Sequence, residues 1–252
     1  MRETLAALEA GEIDAAEAES RLAGYATTGA GRFDAARESR RGIPEGILAE
    51  GKTPEETADL AATAVSTTGR ALVTRADDAA ATAVAEAVGS DASVTRDDRA
   101  GTVVVHAAGF EPPSLDATVA VVAAGTADAP VAGEAAVVAR EVGATVDRID
   151  DVGVANLDRI ADQTDRIREA DVVVVAAGRE GALPTVVAGL VDAPVIAAPV
   201  STGYGVGGDG VAALQGALQS CSVLTTVNVD AGFVAGSQAG LIARAVDAAR
   251  SE

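Results

Sequence analysis

The chain has 252 residues, of which 48% are hydrophobic, 23% charged and 2% aromatic, with one Cys, one His and no Trp. That length supports one large domain or two small ones, and the apolar fraction excludes intrinsic disorder. A single thiol excludes a disulfide framework, one Cys and one His cannot build a thiolate–imidazole zinc site, and a net charge of −19 argues against a nucleic-acid partner, which needs a basic face. From the N-terminus, residues 1–24 read as one or two short polar helices without the apolar core of a signal peptide. Residues 25–53 are irregular and rich in Gly and Arg, with Arg32, Arg37, Arg40 and Arg41 close together. Helices are predicted over 54–67 and 77–88, with a short strand at 71–74 between them and another at 102–106 after them. Two prolines in Phe110-Glu111-Pro112-Pro113-Ser114 stop either kind of element. That linker divides a mixed α/β N-terminal region, 1–113, from a C-terminal domain, 114–252.

Beyond the linker the pattern is regular. Apolar runs at 117–124, 144–149, 171–177, 193–198 and 222–229 alternate with helical spacing at 128–142, 156–169, 181–191, 209–220 and 232–249. Strands apolar on both faces belong to a parallel sheet covered by helices. The fold class is therefore α/β: an open, flavodoxin-like parallel sheet with helices on both faces, plus the smaller N-terminal domain. The uncharged stretch between Asp209 and Asp230 is long enough to raise a membrane span. Its Gln215, Gln219, Ser220, Ser222, Thr225, Thr226 and Asn228 point instead to a buried helix followed by a buried strand. A soluble, cytoplasmic protein with no membrane partner is expected. Lys52 is the only lysine. An acidic, lysine-poor, Ala/Val-rich chain reads as a protein of a salt-loving organism, whose acidic surface keeps it soluble in brine. A GC-biased genome, which also replaces Lys by Arg, is the alternative.

In such sheets the ligand lies at the carboxyl ends of the strands. Those loops are Gly125-Thr126-Ala127-Asp128, Asp150-Asp151-Val152-Gly153, Gly178-Arg179-Glu180-Gly181, Pro199-Val200-Ser201-Thr202-Gly203-Tyr204-Gly205 and Asn228-Val229-Asp230-Ala231-Gly232. Nearly all carry glycine with a hydroxyl or carboxylate, and glycine lets backbone approach a phosphate ahead of a helix N-terminus. A nucleotide-like ligand is expected. Gly203-Tyr204-Gly205-Val206-Gly207-Gly208 even satisfies the dinucleotide fingerprint, with Asp230 22 residues beyond it. That fingerprint belongs to the first βα turn, whereas this would be the fourth, so a flexible lid or phosphate loop is preferred.

The residues themselves carry a resemblance. Ala124 through Ala132, followed by Glu134-Ala135-Ala136, looks like the start of the domain shared by the aminoimidazole ribonucleotide carboxylases, the PurE fold. Asp151-Val152-Gly153-Val154-Ala155, Ala177 through Pro184, Pro199 through Gly205, Ser220-Cys221-Ser222 and Val227 through Phe233 narrow it. With Asp34-x-x-Arg37, Arg41-Gly42-x-Pro44-Glu45 and Gly51-Lys52-Thr53 upstream, the chain from about residue 30 resembles the LarB family of nickel-pincer cofactor synthesis. It departs at Arg179, where an apolar residue is expected, and at Val234-Ala235-Gly236.

The resemblance implies carboxylation of the pyridinium ring of nicotinic acid adenine dinucleotide at C5 by carbon dioxide or bicarbonate, then phosphoanhydride hydrolysis. The products would be pyridinium-3,5-biscarboxylic acid mononucleotide and AMP. It also implies Mg²⁺ and a homo-oligomer, an octamer in the PurE fold. An electron-poor pyridinium cannot attack carbon dioxide, but a thiolate adding at C4 makes C5 nucleophilic and leaves again afterwards. Cysteine suits both roles. Cys221, otherwise readable as an inert small core residue, is the candidate nucleophile, and Glu180 the candidate base, its alternative being a solvated carboxylate near a helix N-terminus. Thr126, Asp128, Gly178, Ser201, Gly203, Tyr204, Asn228, Asp230 and Gly232 are the candidate binding residues in the sheet loops. Arg37 and Arg41 could fork onto phosphates or the nicotinate carboxylate, or merely balance acidic surface. Asp128 or Asp230 could hold the metal, Asp128 equally being a helix N-cap. His106 is more readily structural than half of a Cys–His dyad. Two rivals remain. An imidazole-ribonucleotide carboxylase would need a histidine where Ala182 stands, and a non-catalytic nucleotide sensor would need no Cys221.

Overall fold

The Pro112-Pro113 pair cannot continue helix or sheet, and the chain divides there into two units, Met1–Glu111 and Pro112–Glu252, in the computed structural model. The structure describes residues 2–251 apart from 14, 16, 17, 19–21 and 23. The first unit opens with the helix Arg2–Glu9; the second short helix expected before residue 24 falls largely outside the described residues. An antiparallel pair follows, β1 (Ala26–Thr27) with β2 (Arg32–Phe33), then the helix Arg37–Arg41. A four-stranded sheet runs in the order β3 (Gly46–Leu48), β4 (Arg70–Thr74), β6 (Thr102–His106), β5 (Ser93–Asp97). Only the β3–β4 pairing is parallel among its described ladders.

The helix Pro54–Thr68 shows why these residues fold as they do. Thr53 Oγ1 accepts from Glu56 N at 3.2 Å and Glu56 Oε2 accepts from Thr53 N at 2.9 Å, with Pro54 at the first helical position. Gly69 ends it at φ 79°, and a Cβ there would lie 2.7 Å from the Phe110 ring. Leu60, Ala61 and Ala64 then pack with Ala71, Val73, Val103 and Val105 as one core.

The second unit is a five-stranded, wholly parallel sheet of β7 (Thr118–Ala123), β8 (Thr145–Ile149), β9 (Val172–Ala177), β10 (Val195–Pro199) and β11 (Thr225–Thr226). Its spatial order is β11-β10-β9-β7-β8. This is the flavodoxin-type order, in which the connections reverse between the first and third strands and leave a crevice at their carboxyl ends. Alternate residues feed two cores. Val119 and Val121 face the helices Ala129–Val142 and Gly232–Arg250, whereas Ala120 and Val122 face Ile160, Ile167, Leu183 and Val187. The segment expected as one helix over 156–169 is two, Leu157–Ala161 and Thr164–Arg168.

The helices Ala129–Val142 and Gly232–Arg250 lie unusually close. A Cβ on Gly236 would stand 2.4 Å from the Ala135 carbonyl oxygen, and one on Gly240 2.8 Å from Val142. Only glycine permits that approach.

One sequence expectation changes. The stretch 209–230 forms the helix Val211–Leu218, which buries only Ala213 and Ala217, and the two-residue β11, which buries neither residue. Leu218 is 65% and Val223 95% exposed. The cause is position: β11 is an edge strand hydrogen-bonded to β10, so an apolar run that reads as interior faces outward within one chain. Among the described residues no helix is long and apolar enough to cross a membrane.

Candidate functional site

Two aspartates stitch the carboxyl-end loops together. Asp128 closes a 3₁₀ turn, Thr126–Asp128, and its Oδ2 accepts from Gly125 N at 2.8 Å. Its Oδ1 accepts from Gly178 N at 2.9 Å and from Thr202 Oγ1 at 3.1 Å, so the loops after β7, β9 and β10 meet on one carboxylate. Burial pushes the Asp128 carboxyl above its ordinary range, against the opposing pull of these hydrogen bonds. Asp230 does the same between β10 and β11: its Oδ1 accepts from Ser201 N at 2.8 Å and its own N donates to Pro199 O at 2.9 Å. Gly178 has no room for a side chain, since a Cβ would lie 2.3 Å from Thr202 Oγ1.

Backbone strain gathers at this end of the sheet. Asp151, Arg179, Asp209 and Asp230 all have φ between 53° and 60° without being glycine. Such residues persist where the surroundings dictate them, and functional loops are where they cluster. Arg179 N donates to Thr202 O at 2.9 Å, and its guanidinium lies 4.5 Å from the centroid of the Tyr204 ring. Arg179, Glu180, Gly203, Tyr204, Val206, Gly207 and Ala212 line an open cavity of about 280 Å³.

Glu180 is exposed, and a Cβ on Gly216 would lie 3.0 Å from its carbonyl oxygen. Cys221 is exposed too. Its turn is tied to the helix Ala182–Ala188 one turn beyond Glu180: Thr185 Oγ1 donates to Ser220 Oγ at 2.9 Å, Ser222 Oγ donates to Thr185 O at 3.3 Å, and Ser222 N donates to Ser220 Oγ at 3.1 Å. Cys221 precedes β11, so it stands toward the amino-terminal side of that strand, whereas Asp128, Gly178, Ser201 and Asp230 are at carboxyl ends. One chain therefore joins the carboxyl-end loops through Asp128 and Asp230 and carries the thiol on a turn tied to the helix that follows Glu180.

The remaining predicted residues fall as follows. Thr126 is exposed within its 3₁₀ turn. Gly203 has φ 154°, and Tyr204 is 82% exposed. Asn228 Oδ1 accepts from Val229 N at 2.9 Å, inside its own loop. Gly232 opens the last helix, buried against Val131 and Glu134. Arg37 lies in the first unit and is held by Glu45 at 2.9 Å. Burial raises the Glu45 carboxyl, with the Arg37 guanidinium opposing that shift. Arg41 is exposed at the end of its short helix, and His106 stacks on Phe110 at 4.9 Å. Two residues outside the predicted set matter. Thr202 is the third donor on Asp128, and its signal was its place in a Gly/Ser/Thr loop after a strand. Thr185 anchors the Cys221 turn, and nothing in its helix announces that.

Among the described residues no group of three or more His, Cys, Asp or Glu is arranged around a cation. Both oxygens of Asp128 and one of Asp230 already accept protein donors. The donor set does not fit a protein cage for Mg²⁺, which in any case is commonly held by one or two carboxylates together with substrate phosphates.

The family profile described as LarB/PurE-like N-terminal domain matches residues 25–107, and the AIR carboxylase profile matches residues 118–252. An uncharacterized protein of Methanocaldococcus jannaschii is 34% identical over 218 residues, covering 84% of each chain.

Proposed function

The chain belongs to the LarB family and is a carboxylase-type enzyme; on that premise we propose that it carboxylates C5 of the pyridinium ring of nicotinic acid adenine dinucleotide and hydrolyses the phosphoanhydride. The products are then pyridinium-3,5-biscarboxylic acid mononucleotide and AMP. The observation that carries this reading is the exposure of Cys221 on a turn braced by Ser220, Ser222 and Thr185. A solvent-facing thiol can meet a ligand, which an inert core cysteine cannot.

The Cys221 thiolate adds to C4 of the cationic ring and gives a neutral dihydropyridine. Its enamine carbon, C5, forms the new bond to carbon dioxide and leaves an iminium. A base takes the C5 proton, the electron pair restores the enamine, and expulsion of the thiolate restores the aromatic cation. Glu180, exposed at the head of the helix that braces the Cys221 turn, is the base in this scheme. Water then attacks the pyrophosphate and AMP leaves. No step is assigned to a metal ion.

Imidazole-ribonucleotide chemistry needs a proton-carrying histidine, and Ala182 occupies the position before Leu183-Pro184. The only histidine is His106, in the first unit. The decisive variant is Cys221→Ser. It should keep dinucleotide affinity within a few fold and lose carboxylation altogether. A Ser variant that still turns over at the wild-type rate contradicts the thiolate mechanism, and a wild type that binds but never turns over makes the protein a nucleotide sensor.

A further inference from the structure

We propose that Arg179 and Tyr204 form a stacked clamp for the pyrophosphate of the substrate, with the Tyr204 ring holding the guanidinium and Arg179 making the contact. The proposal rests on reading the second unit as a nucleotide site. It deepens that reading by naming the group that takes the anion.

Most arginines of this unit are committed to carboxylates. Arg148, Arg159, Arg166 and Arg250 each pair with an aspartate at 2.5–3.1 Å, and Arg168 pairs with Asp165 at 3.6 Å. Arg179 does not, despite a net charge of −19 on the chain and Glu180 beside it in sequence. Its guanidinium rests on the Tyr204 ring at 4.5 Å instead. A cation on an aromatic face keeps its planar edge of N–H donors free. That edge matches two phosphate oxygens in the bidentate manner.

The backbone fixes the pair on both sides. Arg179 sits at φ 53° and bonds through its N to Thr202 O at 2.9 Å, while Thr202 Oγ1 is held by Asp128. Gly203, Gly205 and Gly207 have φ of 154°, 82° and 90°, so every second residue of the segment that carries Tyr204 lacks a side chain, which leaves backbone open to a polyanion there. Among the described residues, Arg179 is the one cation lining the 280 Å³ cavity that it shares with Glu180 and Tyr204. A merely solvated surface arginine would have no need of left-handed backbone or of an aromatic platform that is itself 82% exposed.

The test is calorimetric titration at fixed ionic strength with inorganic pyrophosphate, and separately with nicotinic acid adenine dinucleotide. It uses the full chain and the variants Arg179→Met, Arg179→Lys, Tyr204→Phe and Tyr204→Ala, with circular dichroism to confirm folding. Arg179→Met should weaken pyrophosphate binding at least about tenfold, which is about 1.4 kcal/mol. Arg179→Lys keeps the charge but not the fork and should fall between. Tyr204→Phe keeps the ring and should stay within about twofold, whereas Tyr204→Ala should lose several fold. The Arg179→Met/Tyr204→Ala double variant should be no weaker than Arg179→Met, because the two residues act as one unit. In turnover, Arg179→Met should raise KM more than it lowers kcat. Pyrophosphate affinity unchanged in Arg179→Met, or absent in the wild type, overturns the clamp. Arg179-dependent pyrophosphate binding without turnover of the dinucleotide leaves the clamp standing and removes the proposed reaction. Normal turnover with an indifferent Arg179 removes the clamp alone.

Discussion

Glu180 and Asp128 are both carboxylates at the same end of one sheet, yet their surroundings give them different work. Glu180 is exposed, and a base that takes a proton from a bound ring must face the ligand. Replacing it by Gln should leave thiolate addition intact and slow loss of the C5 proton, so a thiol–pyridine adduct should accumulate. Intact-protein mass spectrometry after mixing with substrate reads this directly; normal turnover without adduct would remove Glu180 from the mechanism. Asp128 is buried, and its oxygens hold three donors from three loops. Asp128→Asn keeps one acceptor oxygen and turns an NH₂ toward a backbone N–H. The buried donor left over should cost about 1–3 kcal/mol in chemical denaturation. Because burial raises the folded pKa of Asp128 above its unfolded value of 3.8, the folded protein holds this proton to higher pH than the unfolded chain does. The group's contribution to stability therefore declines as pH rises from about 4 through the raised pKa. The wild-type stability curve should fall relative to that of Asp128→Asn across this window, and parallel curves would contradict the assignment.

At the scale of elements, the pair Ala129–Val142 and Gly232–Arg250 fixes where the loop after β11 meets the loop after β7. Gly236→Ala puts a methyl 2.4 Å from the Ala135 carbonyl oxygen, and the helices must part to admit it. Overpacking of this kind costs about 1–3 kcal/mol. Gly89→Ala, where nothing lies within 4 Å of the added carbon, is the control and should be near neutral. Equal denaturation midpoints for the two variants would refute the close-packed reading. The same scale explains what was legible beforehand. β7, β9 and β10 are buried on both faces, so their apolar runs announced them almost to the residue. β5 reads Ser-Val-Thr-Arg-Asp and is mostly exposed, β1 and β2 have two residues each, and no periodicity could expose them. The run 222–229 looked like a full strand, but apolar residues at a sheet edge carry the same letters as those inside. In the candidate site, glycine and hydroxyl loops after strands point to the loops that Asp128 and Asp230 join. What composition could not convey is that Asp128 and Asp230 spend their oxygens on neighbouring loops, or that Thr185 braces the Cys221 turn through Ser220.

For the whole molecule, charge and uncovered apolar surface pull in opposite directions. With 38 acidic against 19 basic side chains, self-repulsion is strong in dilute buffer and screened in salt. The melting temperature should therefore climb with KCl; full stability at low ionic strength would argue for a GC-biased genome and against a salt-adapted protein. Val206, Leu218 and Val223 are 109%, 65% and 95% exposed in the second unit, a distribution that a second copy of the chain would relieve. Light scattering in high salt should find an assembly; a particle of 24.8 kDa would contradict it.

The central claim is a single chemical event, ring carboxylation by a protein whose one thiol is Cys221. The most direct measurement incubates the purified protein with nicotinic acid adenine dinucleotide, ¹³C-bicarbonate and Mg²⁺ in high salt, and follows the nucleotides by mass spectrometry. The account predicts AMP together with a mononucleotide heavier than nicotinate mononucleotide by one labelled carbon dioxide, and neither product from Cys221→Ala. AMP release without label in the ring, or labelled product from Cys221→Ala, would contradict it.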